Sequence, residues 1–126
     1  MSRVPTYQNA GYITTRLQTT DASERVLATV MIQAGTMVRI VGTGVGMQSS
    51  GGNFVFRRLD YSVRNTGSIV AVVESANGVI QRRNLLLANV DFTLNGTEIE
   101  LRATGEGATT INWTALLQVV LLEQAL

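Results

Sequence analysis

The sequence predicts an all-β protein, an antiparallel jelly-roll-like β-sandwich of about eight strands. Three observations predict it. Apolar and polar residues alternate in short runs along most of the chain. Turn signals separate those runs roughly every 8–14 residues, a spacing that suggests a sandwich or barrel. No ten-residue stretch carries a helical stripe with caps. Two packed antiparallel layers bury a core with few open edges, which favours the jelly roll. An immunoglobulin-like sandwich is the alternative, without the cysteine pair that marks many of them.

Taken in order, residues 1–11 are polar and irregular, with Pro5 and Gly11. They read as an N-terminal arm, either frayed or ordered by a partner. Residues 12–126 read as one sandwich domain. YITTRLQT is a β-branched strand, and Asp21-Ala22-Ser23-Glu24 is a turn. The next strand, RVLATVMIQ, places Val26, Ala28, Val30 and Ile32 on one face. Ala34-Gly35 turns the chain into a strand with Val38 and Ile40 inward. Residues 42–52, GTGVGMQSSGG, read as a mobile loop or bulge. NFVFRRLDYSVRN and SIVAVVES are strands, followed by a turn at Asn77-Gly78 and the segment VIQRRNLLLANVDFTL. Asn95-Gly96 signals a hairpin, with the positive φ of a type I′ turn.

Beyond that hairpin, Ile99, Leu101 and Ala103 alternate with Glu98, Glu100 and Arg102 in a half-buried strand, which Gly105-Glu106-Gly107 breaks. The last strand carries Ile111, Trp113, Ala115, Leu117, Val119 and Leu121 on one face. Its other face is also apolar from Leu116 onward, and a strand with two apolar faces needs cover on both. Trp113, Leu117 and Val119 are assigned to the core. For Leu116, Val120 and Leu122, core and oligomer interface are equal readings.

The composition bounds the function. With 126 residues the chain is one domain, long enough to bury about two-thirds of its unfolded surface. Charged residues are 15% of the sequence and apolar residues 45%, against about 25% charged in an ordinary soluble domain. Either the core is large or other subunits cover part of the surface. No Cys is present, which excludes disulfides, thiolate metal sites and Cys nucleophiles. The absence of His removes the commonest general base and neutral metal ligand. No secretory signal or membrane span is read, and a net charge of +1 gives no general attraction to nucleic acid or membrane. Every basic residue is Arg, the cation best suited to buried and interfacial contacts; codon bias is the competing explanation.

No motif forces chemistry. GTGVG lacks the following GK[ST] of a phosphate loop. Glu98 and Glu100 sit about 7 Å apart on one strand face, where they read as a solvated polar face rather than a catalytic pair. Asp91 and Asn95 lack the ligand density of a calcium loop. Two Asn-X-Thr sequons, at Asn95 and Asn112, read as unused. The doublets Arg57-Arg58 and Arg82-Arg83 have Phe54, Phe56 and Tyr61 nearby. Neighbouring strand residues point to opposite faces, so a doublet makes no single-face patch. Salt bridges to a partner subunit are favoured over stacking on single-stranded nucleic acid.

Three stretches, LQTTDASERVLATVMIQAGTMVRIVGTGVG, FVFRRLDYSVRNTGSIVAVV and GATTINWTALLQVV, resemble a small jelly-roll-like domain of bacteriophage virion proteins. The resemblance spans roughly residues 15–120. Met31-Ile32-Gln33 stands where that family usually has a proline, and Asn89-Val90-Asp91 replaces a usual Trp-Asp. The resemblance implies a non-enzymatic capsid decoration (cement) protein on the outer surface of the head. It would be made in the bacterial cytoplasm, without cofactor or metal. Its implied partners are the major capsid protein and itself, as homodimer or homotrimer, with no nucleic acid or membrane. A receptor- or carbohydrate-binding module of a tail or head fibre is the alternative. The chain has no coiled coil or collagen-like shaft and reads as a freestanding module. The contact residues expected are Val4, Pro5 and Tyr7 on the arm, Met47 in the glycine-rich loop, Arg57, Arg58, Arg82 and Arg83, and Leu116, Val120 and Leu122.

Overall fold

A computed structural model describes residues 6–7, 11–49 and 52–124. The chain is all-β. Its strands are β1 (Thr6–Tyr7), β2 (Gly11–Thr19), β3 (Glu24–Met31), β4 (Thr36–Gln48), β5 (Phe54–Asn65), β6 (Val70–Ser75), β7 (Gln81–Arg83), β8 (Asn89–Asn95), β9 (Glu98–Thr104) and β10 (Ile111–Gln124). They form two packed sheets. The small sheet has the order β1-β3-β9-β8, and the large sheet β2-β10-β4-β5-β6, with β7 also on β5. All pairings are antiparallel except β1 with β3. The last strands return to the first: β10 inserts between β2 and β4, and β9 lies beside β3. That wrap is jelly-roll-like, although β4, β5 and β6 stay in one sheet as a meander.

The described residues of the expected arm lie in the sheets. Thr6 and Tyr7 pair with Thr29 and Val30, and β2 begins at Gly11. Val4 and Pro5 lie outside the described residues.

Alternation puts Ile13, Ile40, Leu59, Ile99, Leu101 and Trp113 between the sheets, all essentially without solvent contact. Leu117 and Val119 join them as expected, whereas Leu121 is 43% exposed beside a register shift between Leu121 and Glu123. On β3 a shift between Val26 and Ala28 places Leu27 and Ala28 in the core, and Val26 drops out of the predicted face. Polar atoms in the core are tied across the layers. Thr15 Oγ1 donates to the Leu27 carbonyl at 2.7 Å, and Asn65 Nδ2 to the Ile32 carbonyl at 2.8 Å. Tyr61 of the large sheet stacks on Phe92 of the small one, with ring centroids 5.1 Å apart.

Three local expectations are corrected. Residues 42–48 of the glycine-rich segment are not a loop but the second half of β4, paired with β5 and β10 without a break. Its inner positions are glycine because other atoms occupy the space. A Cβ on Gly46 would meet Trp113 Cζ3 at 2.8 Å, one on Gly44 the Val90 side chain at 2.9 Å, and one on Gly42 the Leu116 carbonyl oxygen at 1.9 Å.

Asn77-Gly78 does not reverse the chain. β6 and β7 both run along β5 in one direction, and the Asn77 side chain accepts the Asp60 N–H at 2.8 Å, as a strand carbonyl would. The β8–β9 hairpin forms as expected, but its two central residues are Gly96 and Thr97. Gly96 has φ +63° and Thr97 has a negative φ, the signs of a type II′ turn rather than I′. The Asp21 turn closes as an Asx turn, with its carboxylate accepting the Ser23 N–H at 2.9 Å.

Candidate functional site

Part of the exposed apolar surface lies on the outward face of the large sheet. Register aligns it in rows across β2, β10, β4 and β5. Gln18, Asn112, Met47 and Phe54 form one row, and Arg16, Thr114, Val45 and Phe56 the next. Thr14, Leu116, Thr43 and Arg58 follow, then Tyr12, Gln118, Val41 and Asp60. Tyr12 is 81% exposed, Leu116 55% and Met47 52%. Tyr12, Val41, Leu116 and Gln118 ring an open hollow of about 220 Å³. Leu116 and Val120 therefore lie on the outer side of β10, Leu116 exposed and Val120 half-buried, whereas Leu122 is exposed at the register shift between Leu121 and Glu123. Met47 belongs to this face as a β4 strand residue, not as a loop residue.

The arginine doublets divide, as strand geometry requires. Arg57 points inward to the sheet edge: it donates to the Gly78 carbonyl at 3.0 Å and the Val90 carbonyl at 3.2 Å, and pairs with Asp91 at 3.0 Å. Asp91 also accepts from Asn77 at 2.7 Å. An acidic residue of its own chain thus engages Arg57. Arg58 lies exposed on the outer face opposite Thr43. Arg82 donates through Nε to the Ala88 carbonyl at 2.9 Å, and Arg83 lies exposed beside Phe54. Of the aromatics near the doublets, Phe54 and Phe56 are half-buried on the outer face and Tyr61 is in the core. Tyr7 reaches the structure through its backbone pairing with Val30.

Carboxylates serve the architecture. The Asp60 carboxylate takes a two-pronged contact from Arg39, at 2.9 and 2.6 Å, and that hydrogen bonding holds its pKa below the ordinary carboxylate value. Glu24 and Glu100 share Arg102, at 2.6 and 2.5 Å. Glu100 is on the predicted polar face but only 12% exposed, so it is paired rather than solvated. Glu106 accepts the backbone N–H groups of Leu87 and Ala88 and holds the β7–β8 loop. That loop presents Leu86 and Leu87, 77% and 75% exposed, a feature not singled out in the sequence. Among the described residues no group of three or more acidic side chains could hold a metal ion.

Comparison with protein families and with curated protein sequences gives no match. Among solved structures, the chain is similar to part of the Acinetobacter baumannii phage AM24 tailspike protein, with a TM-score of 0.51 and 7% identity over 92% of this chain. The chain spans about a quarter of that protein, 27% of its length. The likeness is one of fold.

Proposed function

We propose that this chain is a non-enzymatic structural module of a bacteriophage virion, attached to neighbouring subunits through the outer face of its large sheet. The observation that carries the reading is that face: an apolar, arginine-bearing surface that the chain's own second layer does not cover. Burying it would gain about 25 cal/mol per Å² of apolar area, and repetition over a particle adds avidity. The fold likeness to part of a tailspike supports the virion setting.

The finer placing is capsid decoration, with the module bridging major capsid protein subunits on the outside of the head as a homo-oligomer. The same likeness favours a second placing, as a receptor- or carbohydrate-binding module of a tail fibre or spike. Quantitative mass spectrometry of purified particles of the encoding phage tests both. Hundreds of copies in simple ratio to the major capsid protein are expected of a decoration protein. A handful of copies would transfer the chain to the tail. Absence from the particles would overturn the virion reading.

A further inference from the structure

The two outer faces of the sandwich are oppositely charged. The large sheet shows Arg16, Arg39, Arg58, Arg64 and Arg83 against Asp60 and Glu74. Asp60 pairs with Arg39, Glu74 also acts on Arg39 through its charge, and Arg16, Arg58 and Arg83 have no ion-pair partner among the described residues. The small sheet shows Glu24, Glu98 and Glu100 against Arg102. Arg102 answers two of these carboxylates, and Glu98 has no partner among the described residues. The sheets are stacked back to back, so the basic apolar face and the acidic face point in opposite directions.

We infer that copies of this chain associate head to tail, the large-sheet face of one copy docking on the small-sheet face of the next. Charge selects this arrangement over its rivals. Two large faces together would set arginines against arginines, and two small faces carboxylates against carboxylates, and like charges brought together oppose docking. Only the unlike pairing gives Arg16 and Arg58 acidic neighbours. The apolar complement is Tyr12, Leu116 and Met47 on one side and the half-buried Val26 and Met31 on the other.

The smaller face limits the contact. Its three long strands, about 4.8 Å apart and about seven residues long at about 3.3 Å rise, give about 330 Å². That is below the roughly 800 Å² per partner of a standard interface, so each contact is weak and gains from repetition. A contact between two different faces closes into a ring or continues as a filament, so the assembly is not limited to a two-fold dimer.

The inference rests on the reading of the chain as a self-associating module and extends it by naming the faces. Sedimentation velocity on the isolated full chain tests it. A mass above the monomer is expected at about 0.05 M NaCl, falling toward the monomer at about 1 M, where the Debye length is about 3 Å. Arg16→Glu with Arg58→Glu, and separately Glu98→Arg, change exposed or half-exposed strand positions; circular dichroism confirms that each variant is folded. Each variant alone is expected to weaken assembly at least tenfold. Mixed together they should regain assembly, because the two unchanged faces still match and the two reversed faces now complement each other. A chain that stays monomeric at every concentration overturns both the inference and self-association. Assembly that resists both variants, or responds to only one, overturns the head-to-tail contact and leaves self-association standing.

Discussion

The indole of Trp113 lies against Gly46 on the neighbouring strand, where a Cβ would come within 2.8 Å of its Cζ3. The ring also donates through Nε1 to Thr19 Oγ1 at 2.9 Å, in a buried site. One residue of β10 is thus seated by a missing side chain on β4 and a hydroxyl on β2.

Gly46→Ala is expected to destabilise the fold by about 1–3 kcal/mol through overpacking, since a rigid ring fills the space. Gly42→Ala should cost more, because its Cβ would strike backbone, which cannot rotate away. Urea denaturation midpoints check the ranking.

Trp113→Phe removes the indole donor and leaves the buried Thr19 hydroxyl without it. The expected loss is about 1–3 kcal/mol from the unpaired group, in addition to lost packing. Thr19→Val in the Trp113→Phe background should recover part of it. A double-mutant cycle by chemical denaturation measures the coupling.

The members of the first arginine doublet should behave differently. Arg57→Met breaks contacts to Gly78, Val90 and Asp91 and is expected to cost about 1–3 kcal/mol. Arg58→Ala changes an exposed side chain and should stay within about 0.5 kcal/mol. Equal midpoint shifts would refute the inward–outward assignment.

The Asp60 carboxyl has its pKa lowered from 3.8, first by the Arg39 hydrogen bond. A lowered folded pKa means the unfolded chain takes up the proton first as pH falls. The contribution is therefore complete above the unfolded value and is lost as pH falls through the lower folded value. Thermal melts from pH 7 to pH 2 should show Asp60→Asn less stable than the parent at neutral pH, with the difference closing in the acid range.

Glu106→Gln replaces the carboxylate that caps the Leu87 and Ala88 amides with a weaker acceptor. Amide hydrogen exchange at Leu87 and Ala88 should speed up, while the core amides of β10 keep their protection.

Much of the architecture was legible in local pattern. Period-two alternation named Val38, Ile40, Ile99, Leu101, Trp113 and Leu117 as inward residues, because a strand sends successive side chains to opposite faces whatever its neighbours are. The turns at Asp21 and Gly35 were legible too, since a short acceptor side chain and a positive φ are local requirements.

Other features depended on residues far away in the chain. Gly42, Gly44 and Gly46 have the composition of a loop, but they form a central strand because Leu116, Val90 and Trp113 fill the space their side chains would take. Asn77-Gly78 has the composition of a turn, but Asn77 bonds to Asp60 and Asp91 and carries the chain straight along β5. Alternation assigned Arg57 and Arg58 to opposite faces, and only the closeness of Val90 and Asp91 on β8 turned Arg57 into a structural tie. By itself the sequence determined the all-β class and the partition of each strand into two faces. Which of those faces is covered, and which charges end up on each side of the sandwich, was decided by sheet order, because burial depends on the layer that folds over a strand and not on the strand's own residues.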